Sequence, residues 1–127
     1  MKTYDIQFED GAIPEPHEIQ TALFLIKHGK KTVKFLAPKN QNRIKTPDIL
    51  MDGKKWEIKS PTSNGSRVME HALRSATKQS PNVIIDLRRG KMADERALRQ
   101  ITFTAKKRTA LKRLIVLTKD DKMLDIK

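Results

Sequence analysis

Two carboxylates and a lysine are spaced for phosphate chemistry in the stretch T-P-D-I-L-M-D-G-K-K-W-E-I-K-S-P, residues 46–61: Asp48, Glu57 and Lys59. Asp52-Gly53 is a strong signal for a two-residue hairpin turn, with Asp48–Met51 predicted as one strand and Trp56–Ser60 as the next. With the turn so placed, Met51 faces Lys54, Leu50 faces Lys55, Ile49 faces Trp56 and Asp48 faces Glu57. Alternation then puts Asp48, Glu57 and Lys59 on one face and Ile49, Trp56 and Ile58 on the other. Like charges held directly opposite each other repel unless something positive lies between them. A divalent cation meets that need, since Mg²⁺ takes hard oxygen ligands, commonly one or two carboxylates completed by water and substrate phosphate. A lysine beside such an ion can orient or deprotonate an attacking water, or stabilise charge on the phosphate. The plainer alternative is a surface hairpin whose charges are solvated or weakly paired.

The elements around the hairpin follow from periodicity. Met1–Phe8 alternates loosely, as an edge strand would. Pro14 and Pro16 lead into a helix over Glu15–His28, with Ile19, Ala22, Leu23 and Ile26 at helical spacing and Gly29 expected to close it. Thr32–Ala37 reads as a strand, and residues 38–45 as a basic loop in which Lys39, Arg43 and Lys45 are candidates for holding phosphates. Ser66 is the expected N-cap of a helix running from Val68 to about Lys78. Val83-Ile84-Ile85 is a continuous apolar run of the kind buried on both faces of a sheet, and Asp86 at its end either reaches the site or pairs with Arg88 or Arg89. A basic helix over Ala93–Arg108, a buried strand at Leu114–Leu117 and a short strand at Met123–Ile126 complete the chain. The order is helix, strand, hairpin, helix, strand, helix, strand, strand.

At 127 residues the chain makes one domain, 1–127, with room for a single packed core. Cysteine is absent, which excludes disulfides and thiolate zinc sites, and the three histidines form no metal-binding pair, so a metal would need oxygen ligands. No apolar run is long enough to span a membrane, and no signal-peptide pattern opens the sequence. The net charge of +12, from 27 basic and 15 acidic residues, favours a polyanionic partner, nucleic acid first. In so basic a chain, two acids in one hairpin stand out, because a phosphate-binding surface avoids carboxylates unless a cation bridges them.

Pro47-Asp48 followed by Glu57-Ile58-Lys59 resembles the signature of the PD-(D/E)XK nuclease superfamily. The wider run W-E-I-K-S-P, with Q-S-P-N-V-I-I-D-L-R at residues 79–88, resembles the tRNA-nuclease domain at the C-termini of contact-dependent inhibition toxins and of related phage and mobile-element proteins, from about Glu15 to the end of the chain. The resemblance implies an α/β, restriction-endonuclease-like core in the order αβββαβ with an added helix and C-terminal strands. It implies metal-dependent hydrolysis of phosphodiester bonds with Mg²⁺ or Mn²⁺, a tRNA substrate, and a toxin acting in the cytoplasm after delivery and countered by an immunity protein. In many relatives an acid of the first helix joins the metal site, which carries Glu18 over beside Asp48 and Glu57; a first-turn acid favoured by the helix dipole is the alternative. Ser60, Arg67, Lys78, Arg88 and Lys107 are further candidates for binding the nucleic acid.

Three other readings remain: a DNA endonuclease of the same fold, a metal-independent toxin ribonuclease using His17, His71, Lys59 or an arginine for acid–base work, and a non-catalytic basic binding domain. A chain beginning at Met1 fits a free-standing protein or a piece of a longer one.

Overall fold

The computed structural model describes residues 4–38 and 47–127. Among these, seven strands and three helices follow in the order β1 (Ile6–Phe8), α1 (Pro16–Gly29), β2 (Val33–Phe35), β3 (Ile49–Met51), β4 (Lys54–Lys59), α2 (Val68–Thr77), β5 (Asn82–Asp86), α3 (Asp94–Lys107), β6 (Arg113–Leu117) and β7 (Met123–Asp125). The strands form one mixed sheet in sequential order, β1 to β7. β2, β3 and β4 are antiparallel neighbours, whereas β4, β5 and β6 run parallel, joined by crossovers through α2 and α3.

Parallel strands need both faces covered. One face packs Val83, Ile85, Leu114 and Val116 against Met69, Leu73 and Ala76 of α2 and Ala97, Ile101 and Ala105 of α3. The other packs Val33, Phe35, Ile49, Trp56, Ile58 and Ile84 against Ala22, Phe24 and Leu25 of α1. All of β5 is buried, as its unbroken apolar run requires.

Asp52 and Gly53 have φ of 54° and 73°, both left-handed, as a type I′ turn demands. The predicted pairs Ile49–Trp56, Leu50–Lys55 and Met51–Lys54 all form. The fourth does not. The amide of Asp48 donates at 3.0 Å to the carbonyl of Trp56, a residue already paired with Ile49, so the ladder slips by one as at a β-bulge and Asp48 leaves the strand plane.

Helix ends also differ from the expectations. α1 begins at Pro16, and Glu15 is its N-cap, in a capping box with Glu18, whose Oε1 accepts from the Glu15 amide at 2.8 Å. The left-handed position after α1 falls on Lys30, not Gly29; a Cβ at Gly29 would stand 2.7 Å from Met123 Sδ, a flexible side chain that could shift to admit it. Ser66 does not cap α2; Arg67 holds the N-cap position without a side-chain cap bond. No helix among the described residues is long and apolar enough to cross a membrane.

Candidate active site

Asp48, Glu57, Lys59 and Glu18 meet at the end of the sheet where β3 splays from β4. The slip at Asp48 frees the amide of Ile58 from the strand ladder, and Asp48 Oδ2 accepts from it at 2.9 Å. That bond fixes one oxygen of the acid between the diverging strands. Glu57, four residues past the turn, is not on a solvated outer face as strand alternation suggested: α2 packs on β4, and only 4% of the residue is exposed. The surface-hairpin alternative therefore fails for Glu57.

Burial without compensation dominates the electrostatics. Desolvation, then the Asp48 charge and a hydrogen bond to the Asp48 side chain, push the Glu57 carboxyl up to about 8, against a smaller opposing pull from Lys59. Lys59 Nζ lies 3.7 Å from Glu57 Oε2 and is itself about three-quarters buried. Glu57 Oε1 has no hydrogen-bond partner among the described residues. Glu18, half-buried in the first turn of α1, is also raised, by desolvation and by Asp48, although its bond from the Glu15 amide opposes this. Asp48 is thus the middle member, raising both Glu18 and Glu57, and the raised Glu57 carboxyl leaves a proton in the cluster at neutral pH where a cation could sit.

The donor set fits a hard divalent ion at the Asp48–Glu57 pair, the partnerless buried Oε1 being the observation that favours it. The three acids do not enclose a point. Among the described residues no group of three His, Cys, Asp or Glu side chains surrounds a common centre, so an ion here needs water or substrate oxygens as well. Glu18 and Asp48 line a cleft of about 210 Å³ with Ile13, Pro14, Phe35, Leu36 and Pro47, which gives access from solvent.

The remaining sequence candidates are scattered. Ser60, partly exposed, follows Lys59 at the mouth of the site. Lys39, Arg43 and Lys45 lie outside the described residues. Arg67 is exposed and bonded to Glu70 at 2.9 Å, Lys78 is exposed at the end of α2, and Lys107 Nζ lies over the Phe103 ring at 3.9 Å, along a wider apolar cleft of α3 away from the acids. Arg88 turns inward: it bonds Asp86 through Nε at 2.9 Å and a terminal nitrogen at 2.8 Å, donates to the Gln20 carbonyl at 3.0 Å, and stacks 4.5 Å over Phe24. Thr21, which periodicity passes over, donates its hydroxyl to Asp86 at 2.6 Å. A polar residue three positions after Glu18, at the edge of an apolar stripe, was the available signal.

A search among curated protein sequences finds no significant match. A solved structure, described as a CdiA-CT/CdiI toxin and immunity complex from Burkholderia pseudomallei, superposes with a TM-score of 0.69 over 97% of this chain and 98% of that one at 18% identity, a likeness of fold. The family model for the contact-dependent growth inhibition CdiA C-terminal domain matches residues 45–123, a span that holds Asp48, Glu57 and Lys59. The chain belongs to the family of CdiA C-terminal domains of contact-dependent growth inhibition.

Proposed function

We propose that this domain is a cation-dependent nuclease with a PD-(D/E)XK-type core that hydrolyses phosphodiester bonds of RNA, tRNA foremost. The reading rests above all on one observation: a buried Glu57 with an oxygen that no described residue partners, beside Asp48 and with Lys59 at 3.7 Å. Membership of the CdiA family and a net charge of +12 support it. The Burkholderia complex of a toxin with its immunity protein supports a toxin role for this chain after delivery to a target cell's cytoplasm, with an immunity protein as partner.

Asp48 and Glu57 would hold Mg²⁺ or Mn²⁺, and the ion supplies a Lewis acid for the phosphate and lowers the pKa of water. The chain's own groups do the rest. The Ile58 amide orients Asp48, and Glu18 adds a third carboxyl from α1 on the same cleft. Lys59 positions the attacking water and offsets negative charge that grows on the phosphate. Lysines and arginines around the cleft hold the backbone.

Incubating the protein with total tRNA, rRNA and plasmid DNA, each with Mg²⁺, Mn²⁺ or EDTA, tests the reading. Cleavage of tRNA that stops in EDTA is the expected result. Cleavage of plasmid alone makes it a DNA endonuclease, cleavage undiminished in EDTA makes it metal-independent, and binding without cleavage under every condition leaves only a basic binding domain.

A further inference from the structure

Two clefts of about 210 Å³ flank the first turn of α1. Glu18 lines one of them with Asp48, while the adjacent His17 lines the other with Gln20, Asp86, Arg88 and Arg89. Neighbouring helical residues point about 100° apart, so one turn presents a carboxyl to one side and an imidazole to the other.

The two clefts differ in charge. In the second, Asp86 is the only acid, and it is already answered: Arg88 holds it through Nε and a terminal nitrogen, and Thr21 donates to it at 2.6 Å. These bonds keep its carboxyl below the usual range despite the desolvation that opposes them. Asp86 and Arg88 therefore cancel. What is left facing the cleft as an unanswered charge is Arg89, exposed and paired with no described acid; His17 beside it has its Nδ1 3.4 Å from the exposed Glu15 carboxylate and adds a hydrogen-bonding group, not a free charge. A positive cleft beside an acidic one, separated by a single helical turn, matches the needs of a phosphodiester chain. One phosphate is brought to the carboxylates, and its neighbour needs a cationic seat.

We propose that the His17–Arg89 cleft is a phosphate subsite, taking the backbone phosphate adjacent to the one at Asp48 and Glu57. The assignment rests on the nuclease reading. Arg89 is the principal contact, and its planar guanidinium suits a phosphate held by two parallel bonds.

The test measures binding of a fluorescently labelled tRNA transcript by anisotropy, in an Asp48→Asn background that does not cut, across a range of salt. Arg89→Ala is expected to weaken binding about tenfold and to lower the slope of log affinity against log salt by about one, while Arg89→Lys keeps the slope. Arg99→Ala, which removes the same charge from the exposed side of α3, is the control and should change affinity less than about twofold. Equal losses for Arg89→Ala and Arg99→Ala, or no loss for either, overturn the subsite. So does a saturable shift of the His17 imidazole signals with inorganic phosphate alone while Arg89→Ala still binds tRNA normally, which assigns the cleft to a free anion. Cleavage by the unaltered chain is scored separately. A negative Arg89 result with cleavage intact removes only the subsite; a positive one without cleavage keeps the cleft as a binding site and removes the nuclease.

Discussion

The hydroxyl of Thr21 donates to the carboxylate of Asp86 at 2.6 Å, joining the first helix to the end of the central strand across 65 residues of sequence. This buried bond, with Arg88 reaching from Asp86 to the Gln20 carbonyl, ties the N-terminal half of α1 to the sheet and so sets where Glu18 stands relative to Asp48. Thr21→Val keeps the shape and removes the donor, and should lower stability by about 1–3 kcal/mol. Asp86→Ala leaves Arg88 without its counter-ion and should cost more, about 3 kcal/mol. Urea denaturation measures both; a Thr21→Val midpoint equal to that of the parent would show that the bond contributes nothing.

Asp48→Ala and Lys59→Ala are expected to lower kcat/KM for tRNA cleavage by about 10²–10⁴-fold, with far-UV circular dichroism unchanged. Both side chains are partly exposed at the sheet end, so neither leaves a core cavity. Activity within a few-fold of the parent in either variant removes that residue from the chemistry.

Glu57 makes stability depend on pH in a fixed direction. Its carboxyl titrates near 8 in the folded chain and near 4.5 unfolded, so the folded state holds the extra proton between those values. The contribution is complete below about 4.5 and is lost as pH rises through about 8. Glu57→Gln mimics the protonated form. It should match the parent at pH 5 and exceed it at pH 9 by roughly 2–4 kcal/mol, less than full conversion of the shift because the site relaxes around the charge. Chemical denaturation at the two pH values, without divalent ions, gives the comparison; an equal difference at both would rule out the linkage.

Divalent ions should reverse that penalty. Mg²⁺ or Mn²⁺ at about 100 times its dissociation constant raises unfolding stability by about 2.7 kcal/mol, and binding near neutral pH should release a proton. Calorimetry in buffers of different ionisation enthalpy counts that proton. An enthalpy independent of buffer, or a melting shift that persists in a double Asp48→Ala, Glu57→Gln variant, places the ion elsewhere.

Gly90 tests the backbone that follows the lysine. A Cβ there would stand 2.5 Å from the carbonyl oxygen of Pro61, one residue past Ser60, and backbone cannot yield as a flexible side chain does. Gly90→Ala should cost about 1–3 kcal/mol and lower cleavage. Unchanged stability would mean that the Pro61 segment moves freely.

Much of this architecture is legible in the sequence because it is locally encoded. Asp52-Gly53 admits left-handed backbone at both turn positions, and that alone sets Ile49 against Trp56. Apolar period and strand-breaking residues place α1, β5 and β6 within a residue or two, and the α/β reading needs no more. The basic excess and the closeness of Asp48 to Glu57 are likewise visible before any coordinates. Tertiary structure decided what depends on distant packing. Glu57 is buried because α2 packs on β4 over a face that alternation alone leaves open, and that burial, more than the neighbouring acid, raises its carboxyl. Asp48 leaves the ladder at the bulge opposite Trp56, which leaves the Ile58 amide free to orient it. Arg88 turns inward because a buried Asp86 requires a counter-charge. Short-range order follows from turn and helix chemistry carried by adjacent residues; the charge state of an acid depends on which remote segments exclude water from it.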